Sequence, residues 1–505
     1  MNDIHIENGS ASGKKILLAI ILIAVVLRIV LALVSDNVNH PDEVFQVLEQ
    51  SHRVVFGYGI VPWEYRLSAR SWLVPGLMTL ILYPLKVLGI DNPNIYVPLV
   101  KIILSLISLV AVYSAYVIGR RLASERAGLW AAFLFAIWFE IVYFSIRPLS
   151  EVWATTFLLA AVAIQLTRRS KLQIASAGLL ACLCVAIRIN YFPIVLVLVI
   201  MGLKRMTNED RRVYLLSIFA TLVGVGIVET MTLGKPFTSY INFLNVDKTF
   251  FMAGPLGSKI STDYLMCMGY ASLFLYWLIP LLGLAFWRKT RVILAMLAVA
   301  VLTHILIPAK DHQIDYRHIY VAIPLIMIIG GIIIARTIDM SKNARMRNMM
   351  VIIFSAILLI ISVSGSLARI PCQKNVYAGK TFEVYDHSIY YSNPILKAYR
   401  YLYNQDDVYA VYDASTAWFR AGGFYYLHRD VPLYYNITPP PTGEHISHII
   451  IKGELYGVNG FELIKSIDDI NVYHRSNKTF GYKRDPAYTT DIIQLGVDDV
   501  YSARR

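Results

Sequence analysis

Apolar residues fall along this chain in long, nearly uninterrupted runs separated by short polar connections. The first covers 16–34, and others lie near 95–118, 128–146, 150–167, 172–187, 190–203, 213–232, 264–287, 292–308, 318–335 and 349–368. A bilayer core about 30 Å thick needs roughly 20 apolar residues wound as helix, so each run is long enough, or nearly so, to cross one. The run 16–34 follows Lys14 and Lys15 and holds one charge, Arg28. No convincing small-residue cleavage site closes it, so it reads as an uncleaved first span. A further apolar stretch at 72–90 is interrupted by Pro75, Pro84 and Lys86.

Charge decides how to treat that stretch. If 72–90 does not span, the cationic connections all fall on the side of Lys14 and Lys15. They are Arg120, Arg121 and Arg126; Arg168, Arg169 and Lys171; and Lys204, Arg205, Arg211 and Arg212. Arg288, Lys289 and Arg291, then Arg336, Lys342, Arg345 and Arg347, continue the series. If it did span, every cluster would move outside, against the positive-inside bias. The expectation is therefore an amphipathic or re-entrant segment at the outer interface. About eleven transmembrane helices follow, with the N-terminus inside and the C-terminus outside.

Composition agrees. Of 505 residues, 56% are hydrophobic and 16% charged. A soluble chain could not bury so much apolar surface. The net charge of +13 is explained by membrane loops rather than by nucleic acid. Four cysteines exclude a disulfide framework and most structural zinc modules. The fold class is a polytopic α-helical membrane protein. Residues 1–369 form the membrane domain, with a first outside loop at 35–94. Residues 370–505 are polar and Tyr-rich. Apolar β-branched runs at 408–412 and 446–452 and a helical stretch around 392–404 predict a C-terminal extracytoplasmic α/β domain.

The outside connections carry the chemistry. The first reads Asn39-His40-Pro41-Asp42-Glu43-Val44-Phe45-Gln46, then Glu49, His52, Gly57-Tyr58-Gly59, Trp63-Glu64-Tyr65 and Arg70-Ser71. Its carboxylates are open to three readings: solvated anions, a metal set from His40, Asp42 and Glu43 that lacks the usual i, i+4 histidine spacing, or a general base at the membrane surface. Cations stand at other outer junctions: Arg147 shortly before Glu151, Arg188, and the string Lys310-Asp311-His312-Gln313-Ile314-Asp315-Tyr316-Arg317-His318. A single interfacial Arg is commonly a snorkelling anchor. Several beside carboxylates describe a site that holds an anion, such as a lipid phosphate, while something else is deprotonated.

The string from His40 to Ser71 resembles the first luminal loop of glycosyltransferase family 22, the dolichyl-phosphate-mannose-dependent mannosyltransferases of glycosylphosphatidylinositol and N-glycan precursor assembly. That pattern is His-Pro-Asp-Glu, an aromatic, a Glu, a Gly-rich turn, Trp-Glu-Trp/Tyr and Arg-Ser, and it is met here in order. Later matches are Arg147 to Glu151, Gly234-Lys235-Pro236-Phe237 followed by Asn242-Phe243-Leu244, and His312 to Arg317. The tail after 370 looks more like the outer domains of bacterial lipid-linked glycosyltransferases, which points to a bacterial-type member.

The resemblance implies a GT-C glycosyltransferase fold and an inverting transfer, with mannose the expected sugar, from a polyprenyl-phosphate donor to a glycolipid or glycan acceptor. It implies Asp42 as the base, with Glu43 its rival. His40, Trp63, Glu64 and Arg70 would bind substrate from the first loop. Arg147, Glu151, Arg188 and Asn242 would bind from the middle of the chain, and Lys310, His312, Asp315 and Arg317 from the last motif. No metal or cofactor is expected, and the partners are membrane lipids and the two substrates. The active site would face the periplasm of a bacterial inner membrane, or the lumen of the endoplasmic reticulum in a eukaryote. Two alternatives stay open: a transporter or flippase for a lipid-linked sugar, and a protein or polymer glycosyltransferase of the same membrane fold.

Overall fold

The structure, a computed structural model, describes residues 11–38, 40–168, 170–246, 263–272, 274–306, 313–367, 369–375, 380–386, 393–415, 421–435, 446–456 and 460–475. The chain packs as two compact units. One comprises Met1–Leu33, Ile102–Phe237 and Leu244–Ile389; the other comprises Val34–Lys101, Thr238–Phe243 and Tyr390–Arg505.

The first unit is the helical one, and all its predicted runs fall on helix. Six helices are long and apolar enough to cross a membrane by length and composition: Ala11–Val34, Pro93–Leu122, Ser150–Thr167, Asn208–Leu233, Ala322–Met340 and Ala344–Leu367. Two of these, the first and second, run on into or out of the other unit. The five remaining runs fall on helices that are shorter, broken, or begin among cations. They are Glu125–Ile137 with Phe139–Phe144, Lys171–Ile187, Phe192–Leu203, Asp263–Ala271 with Leu275–Ala285, and Trp287–Leu306. Eleven spans remain the expectation from charge; six is what length and composition give among the described residues. The helix Ala344–Leu367 leaves Ile352, Ile360 and Val363 exposed, and Asn208–Leu233 leaves Leu216, Phe219 and Met231 exposed. Apolar faces turned outward on long helices are faces for lipid.

Inside this unit, close packing uses small residues, as membrane helices do where lipid competes with side chains. A Cβ on Gly128 would meet Tyr116 O at 2.5 Å, and one on Gly119 would meet Ala127 O at 2.8 Å. The two helices Leu109–Leu122 and Glu125–Ile137 can approach only because those positions carry no side chain. Arg28, the lone charge of the first span, is fully buried. Its guanidinium donates to Phe135 O at 2.9 Å, Ala136 O at 3.2 Å and Ser108 Oγ at 2.9 Å. Those carbonyls end the helix Glu125–Ile137, where a cation is favoured by the exposed carbonyl dipoles. A small antiparallel sheet, β1 (Gln313–Asp315), β2 (Arg369–Asn375) and β3 (Lys380–Asp386), also belongs to this unit.

The second unit joins the first predicted outside loop to the C-terminal α/β domain. Its sheet has the order β5-β4-β6-β8-β7, from β4 (Val411–Asp413), β5 (Leu433–Tyr435), β6 (His448–Lys452), β7 (Glu462–Ile467) and β8 (Ile470–His474). β4 runs parallel to β5 and β6, and the other pairings are antiparallel. The helix Pro394–Tyr403 buries Ile395, Leu396, Tyr399 and Leu402, and the Tyr399 hydroxyl donates to Asp413 on β4 at 2.7 Å. The helix, β4 and β6 lie at the stretches the tail sequence marks, whereas β5, β7 and β8 were not anticipated.

The cut expected at 369/370 follows composition, whereas packing groups loop and tail together. Arg400 pairs with Asp36 at 2.6 Å, and Asn393 N donates to Asp36 O at 3.1 Å. The stretch 72–90 is a helix, Leu73–Val87, in this same unit. It packs on the loop helix Glu49–Phe56, and Lys86 Nζ donates to Val55 O at 2.6 Å.

Candidate active site

In the second unit, Pro41 opens a helical turn and Asp42 stands at the head of a π-helical segment, Glu43–Leu48, which runs directly into Glu49–Phe56. Proline suits a first helical position because the missing N–H has no partner there anyway. A π-turn inside a helix is an irregularity that recurs at functional sites. His40 and Glu43 close the start reciprocally: Glu43 N donates to His40 O at 3.1 Å and His40 N to Glu43 Oε1 at 3.4 Å.

Of the four carboxylates Asp42, Glu43, Glu49 and Glu64, only Asp42 is partly open to solvent; the other three are buried. Glu64 accepts from Gln46 Nε2 at 2.8 Å. Its carboxyl is pushed up to about 7, by burial first and then by the Asp42 charge, against the pull of Arg70. The fold thus brings His40, Asp42, Glu43, Glu64 and Arg70 into one acidic cluster with a single cation. Trp63 begins the short helix Trp63–Arg66 that carries Glu64. The Asn242 amide donates to Leu67 O at 2.9 Å and to Ser68 O at 3.4 Å, so it holds the loop between Glu64 and Arg70.

Sequence reasoning noted Glu49 and His52 without a role. Glu49 is fully buried and accepts backbone N–H groups from Ile60 at 2.8 Å, Tyr425 at 2.9 Å and Phe424 at 3.2 Å. Burial pushes its carboxyl up to about 7 despite those donors. Gly423 is left-handed at φ +60, and a Cβ there would meet Glu49 Oε2 at 2.6 Å, so this turn requires glycine. His52 Nε2 lies 2.9 Å from His428 Nδ1, and His52 Nδ1 lies 3.1 Å from Tyr58 O. Burial lowers the two imidazoles to about 3 and about 4 respectively. The Gly422-Gly423 pair was the available signal of a close backbone approach.

The first unit carries the cations. Arg188 Nη2 lies 2.9 Å from Glu151 Oε1, while Arg317 Nε and His318 Nε2 both lie 3.9 Å from that oxygen. Ser150 Oγ donates to the other oxygen at 3.0 Å. Glu151 opens the helix Ser150–Thr167, Arg188 follows Lys171–Ile187, and Arg317 and His318 lie in the turn before Ala322–Met340. Two helix junctions therefore bring Arg188 and Arg317, with His318, to a buried carboxylate at a third. Arg147 instead lies over the Tyr143 ring at 4.1 Å. Asp315 is on β1, its backbone paired with Gln373. Lys310 and His312 lie outside the described residues.

The same unit holds a buried carboxylate that the sequence reading did not single out, Glu140. It accepts from Trp138 Nε1 at 3.1 Å, from the Tyr316 hydroxyl at 2.5 Å and from the Tyr276 hydroxyl.

The overall arrangement of helices and sheet is shared with solved structures. ArnT from Cupriavidus metallidurans, in a structure bound to undecaprenyl phosphate, superposes with a TM-score of 0.58 over 94% of this chain and 100% of that one, at 10% identity. The apo oligosaccharyltransferase of Archaeoglobus fulgidus gives a TM-score of 0.51 over 88% of this chain and 70% of that one, at 12% identity. The protein is an integral membrane protein with the GT-C glycosyltransferase fold. The sequence profile of the Alg9-like mannosyltransferase family matches residues 19–393, and the chain belongs to that family. Mannosyltransferase APTG1 of Arabidopsis thaliana is 33% identical over 121 residues, 24% of this chain and 22% of that protein. GPI alpha-1,2-mannosyltransferase 3 of Homo sapiens is 29% identical over 157 residues, 31% of this chain and 28% of that protein. The match thus spans 22% and 28% of the length of these two curated relatives. The family resemblance read from the first loop is borne out.

Proposed function

We propose that the protein transfers a mannosyl residue from a polyprenyl-phosphate donor to a hydroxyl of a glycolipid or glycan acceptor, with inversion. The observation that carries this reading is Asp42: within an acidic loop of a mannosyltransferase-family chain, it is the carboxylate that a substrate hydroxyl can reach. The acceptor oxygen attacks the anomeric carbon, its proton passes to Asp42, and the bond from that carbon to the phosphate oxygen breaks. A hydroxyl is far too weak an acid to ionise beforehand, so the base acts as charge develops in the transition state. The polyprenyl phosphate leaves as an anion, and fixed cations stabilise it. Arg317 and Arg188 are the residues we assign to that role. Glu64, held near neutrality in its carboxyl, and His40 are suited to binding sugar hydroxyls.

The test is to supply purified protein with polyprenyl-phosphate-mannose and a total membrane lipid extract. A new mannosylated lipid, absent with Asp42→Asn, supports the reading. Donor carried across a vesicle with no product formed would replace it by a lipid-linked sugar transporter.

A further inference from the structure

We propose that Asp407, His448 and His474 form a zinc site in the C-terminal α/β domain. They come from three places far apart in the sequence. Asp407 lies between the helix Pro394–Tyr403 and β4, His448 opens β6, and His474 closes β8. β6 and β8 are antiparallel neighbours, and the two histidines are direct cross-strand partners.

Their ligand atoms all lie within 4.8 Å of one another. His474 Nε2 is 2.8 Å from Asp407 Oδ2, and His448 Nε2 is 3.9 Å from Asp407 Oδ1. Zinc bonds of about 2.0–2.1 Å in a tetrahedron set neighbouring ligand atoms about 3.3 Å apart. The observed separations bracket that value, so a small side-chain adjustment seats the ion.

A bland reading makes His474 and Asp407 a surface ion pair beside a core histidine. It leaves one atom unexplained. His448 is fully buried, and its Nε2 has no hydrogen-bond partner among the described residues. At 3.9 Å the Asp407 oxygen is too far to accept a hydrogen bond, but well placed to share a cation. The other ring nitrogen is accounted for. Ser447 Oγ accepts from Tyr409 N and Ala410 N at 2.9 and 3.1 Å, and its hydroxyl is 2.9 Å from Ala410 O. His448 Nδ1 lies 3.0 Å from that hydroxyl, a contact whose direction follows the imidazole tautomer. In the tautomer with its hydrogen on Nδ1, the buried Nε2 presents a bare lone pair, the form that binds metal, with its ring held beside Ser447. Asp407 is half-exposed and His474 partly so, which gives the ion an entry path and leaves a fourth position for water. Bound there, the ion ties β6, β8 and the turn before β4 together. Two imidazoles and one carboxylate are ligands zinc accepts readily.

The experiment uses the full chain in detergent, purification tag removed, stripped with chelator and then equilibrated with micromolar zinc and desalted. Metal analysis should find about one zinc per chain. Content should fall to background in His474→Gln, at a partly exposed strand end, and in Asp407→Ala, at a half-exposed turn, with both variants folded by gel filtration. Cobalt(II) in place of zinc should give visible d–d absorption that both variants lose. Zinc should also raise the melting temperature of the parent chain and not of either variant. A parent chain that retains no zinc, or variants that retain as much as the parent, would overturn the site.

Discussion

The Arg188 guanidinium lies 2.9 Å from Glu151 Oε1, while Arg317 approaches the same oxygen only to 3.9 Å. Both arginines are largely withdrawn from solvent, so one buried carboxylate faces more positive charge than it can neutralise at contact distance. The two cations are thereby differentiated. Arg188 makes the closer pair, and its loss leaves Glu151 short of its main counter-charge. Arg317 stands farther from that oxygen.

Truncating the two should therefore have different signatures. Arg188→Ala should destabilise the protein by about 3–5 kcal/mol, the usual cost of stranding one partner of a buried pair. Arg317→Ala should weaken donor use by roughly 10- to 150-fold, equivalent to about 1.5–3 kcal/mol for a lost charge-assisted contact. Thermal melts and donor titrations of both variants check this. Unaltered donor use in Arg317→Ala would make that residue a structural anchor.

Glu49 gathers three backbone N–H groups, two of them from the turn at Phe424 and Tyr425. Glu49→Ala should orphan all three in a buried place, at roughly 1–3 kcal/mol for each left unsatisfied. Glu49→Gln keeps a carbonyl acceptor and should lose less. A melting series across parent, Gln and Ala should fall in that order, and an Ala variant as stable as the parent would exclude the role.

How far the sequence reached depends on the range of each signal. Span positions and the strands β4 and β6 come from local hydrophobicity, and those helices and strands sit where the runs put them, whereas β5, β7 and β8 gave no such run. Asp42 and Glu64 share a short loop, so local pattern also drew them together. The grouping of loop 34–101 with the tail could not be read, because it rests on pairs such as Asp36 with Arg400 and Glu49 with Tyr425. Nothing local in either partner signals the other. Arg28 is a single charge in an apolar run, and only the fold shows the carbonyls of Phe135 and Ala136 that accept its hydrogen bonds. The histidines of β6 and β8 stayed hidden for the same reason, since cross-strand register is fixed by pairing rather than spacing.

The titrating groups of the acidic loop set a pH dependence of stability. Glu49 and Glu64 have folded values raised to about 7, so their contribution is full below the unfolded value near 4.5 and is lost as pH rises through 7. His52 and His428 have depressed values, about 3 and about 4, so theirs is full above about 6.5 and is lost as pH falls toward those values. The two trends oppose each other between about 4.5 and 6.5, and only the carboxyls act above that. The melting temperature should therefore decline from pH 6.5 to 8, and Glu64→Gln should decline less steeply. An equal slope in both proteins would remove Glu64 from the account.

Topology follows from the cationic connections. Reporters fused after residues 123, 170, 208 and 290 should read cytoplasmic, and those near 45, 250, 313 and 420 the opposite side. A reporter at 123 on the same side as one at 45 would mean that the helix Leu73–Val87 crosses the membrane.

The choice of base rests on exposure within one turn. Glu43 is buried, whereas Asp42, beside it at the head of the π-turn, is partly open to solvent. A general base has to come within hydrogen-bond reach of the hydroxyl it serves, so the more open carboxylate is the better placed. Glu64 is close enough for the Asp42 charge to raise its own carboxyl, and a neutral Glu64 at the working pH would spare Asp42 a neighbouring negative charge. Asp42→Asn preserves size and hydrogen bonding but removes basicity, so turnover should fall by roughly 10²–10⁴-fold with donor binding and melting temperature near the parent's. Glu43→Gln, by contrast, should act mainly on stability, because it weakens the closure of the turn on His40 N. Measured side by side with expression and donor binding as controls, near-normal turnover in Asp42→Asn and loss in Glu43→Gln would move the base to Glu43.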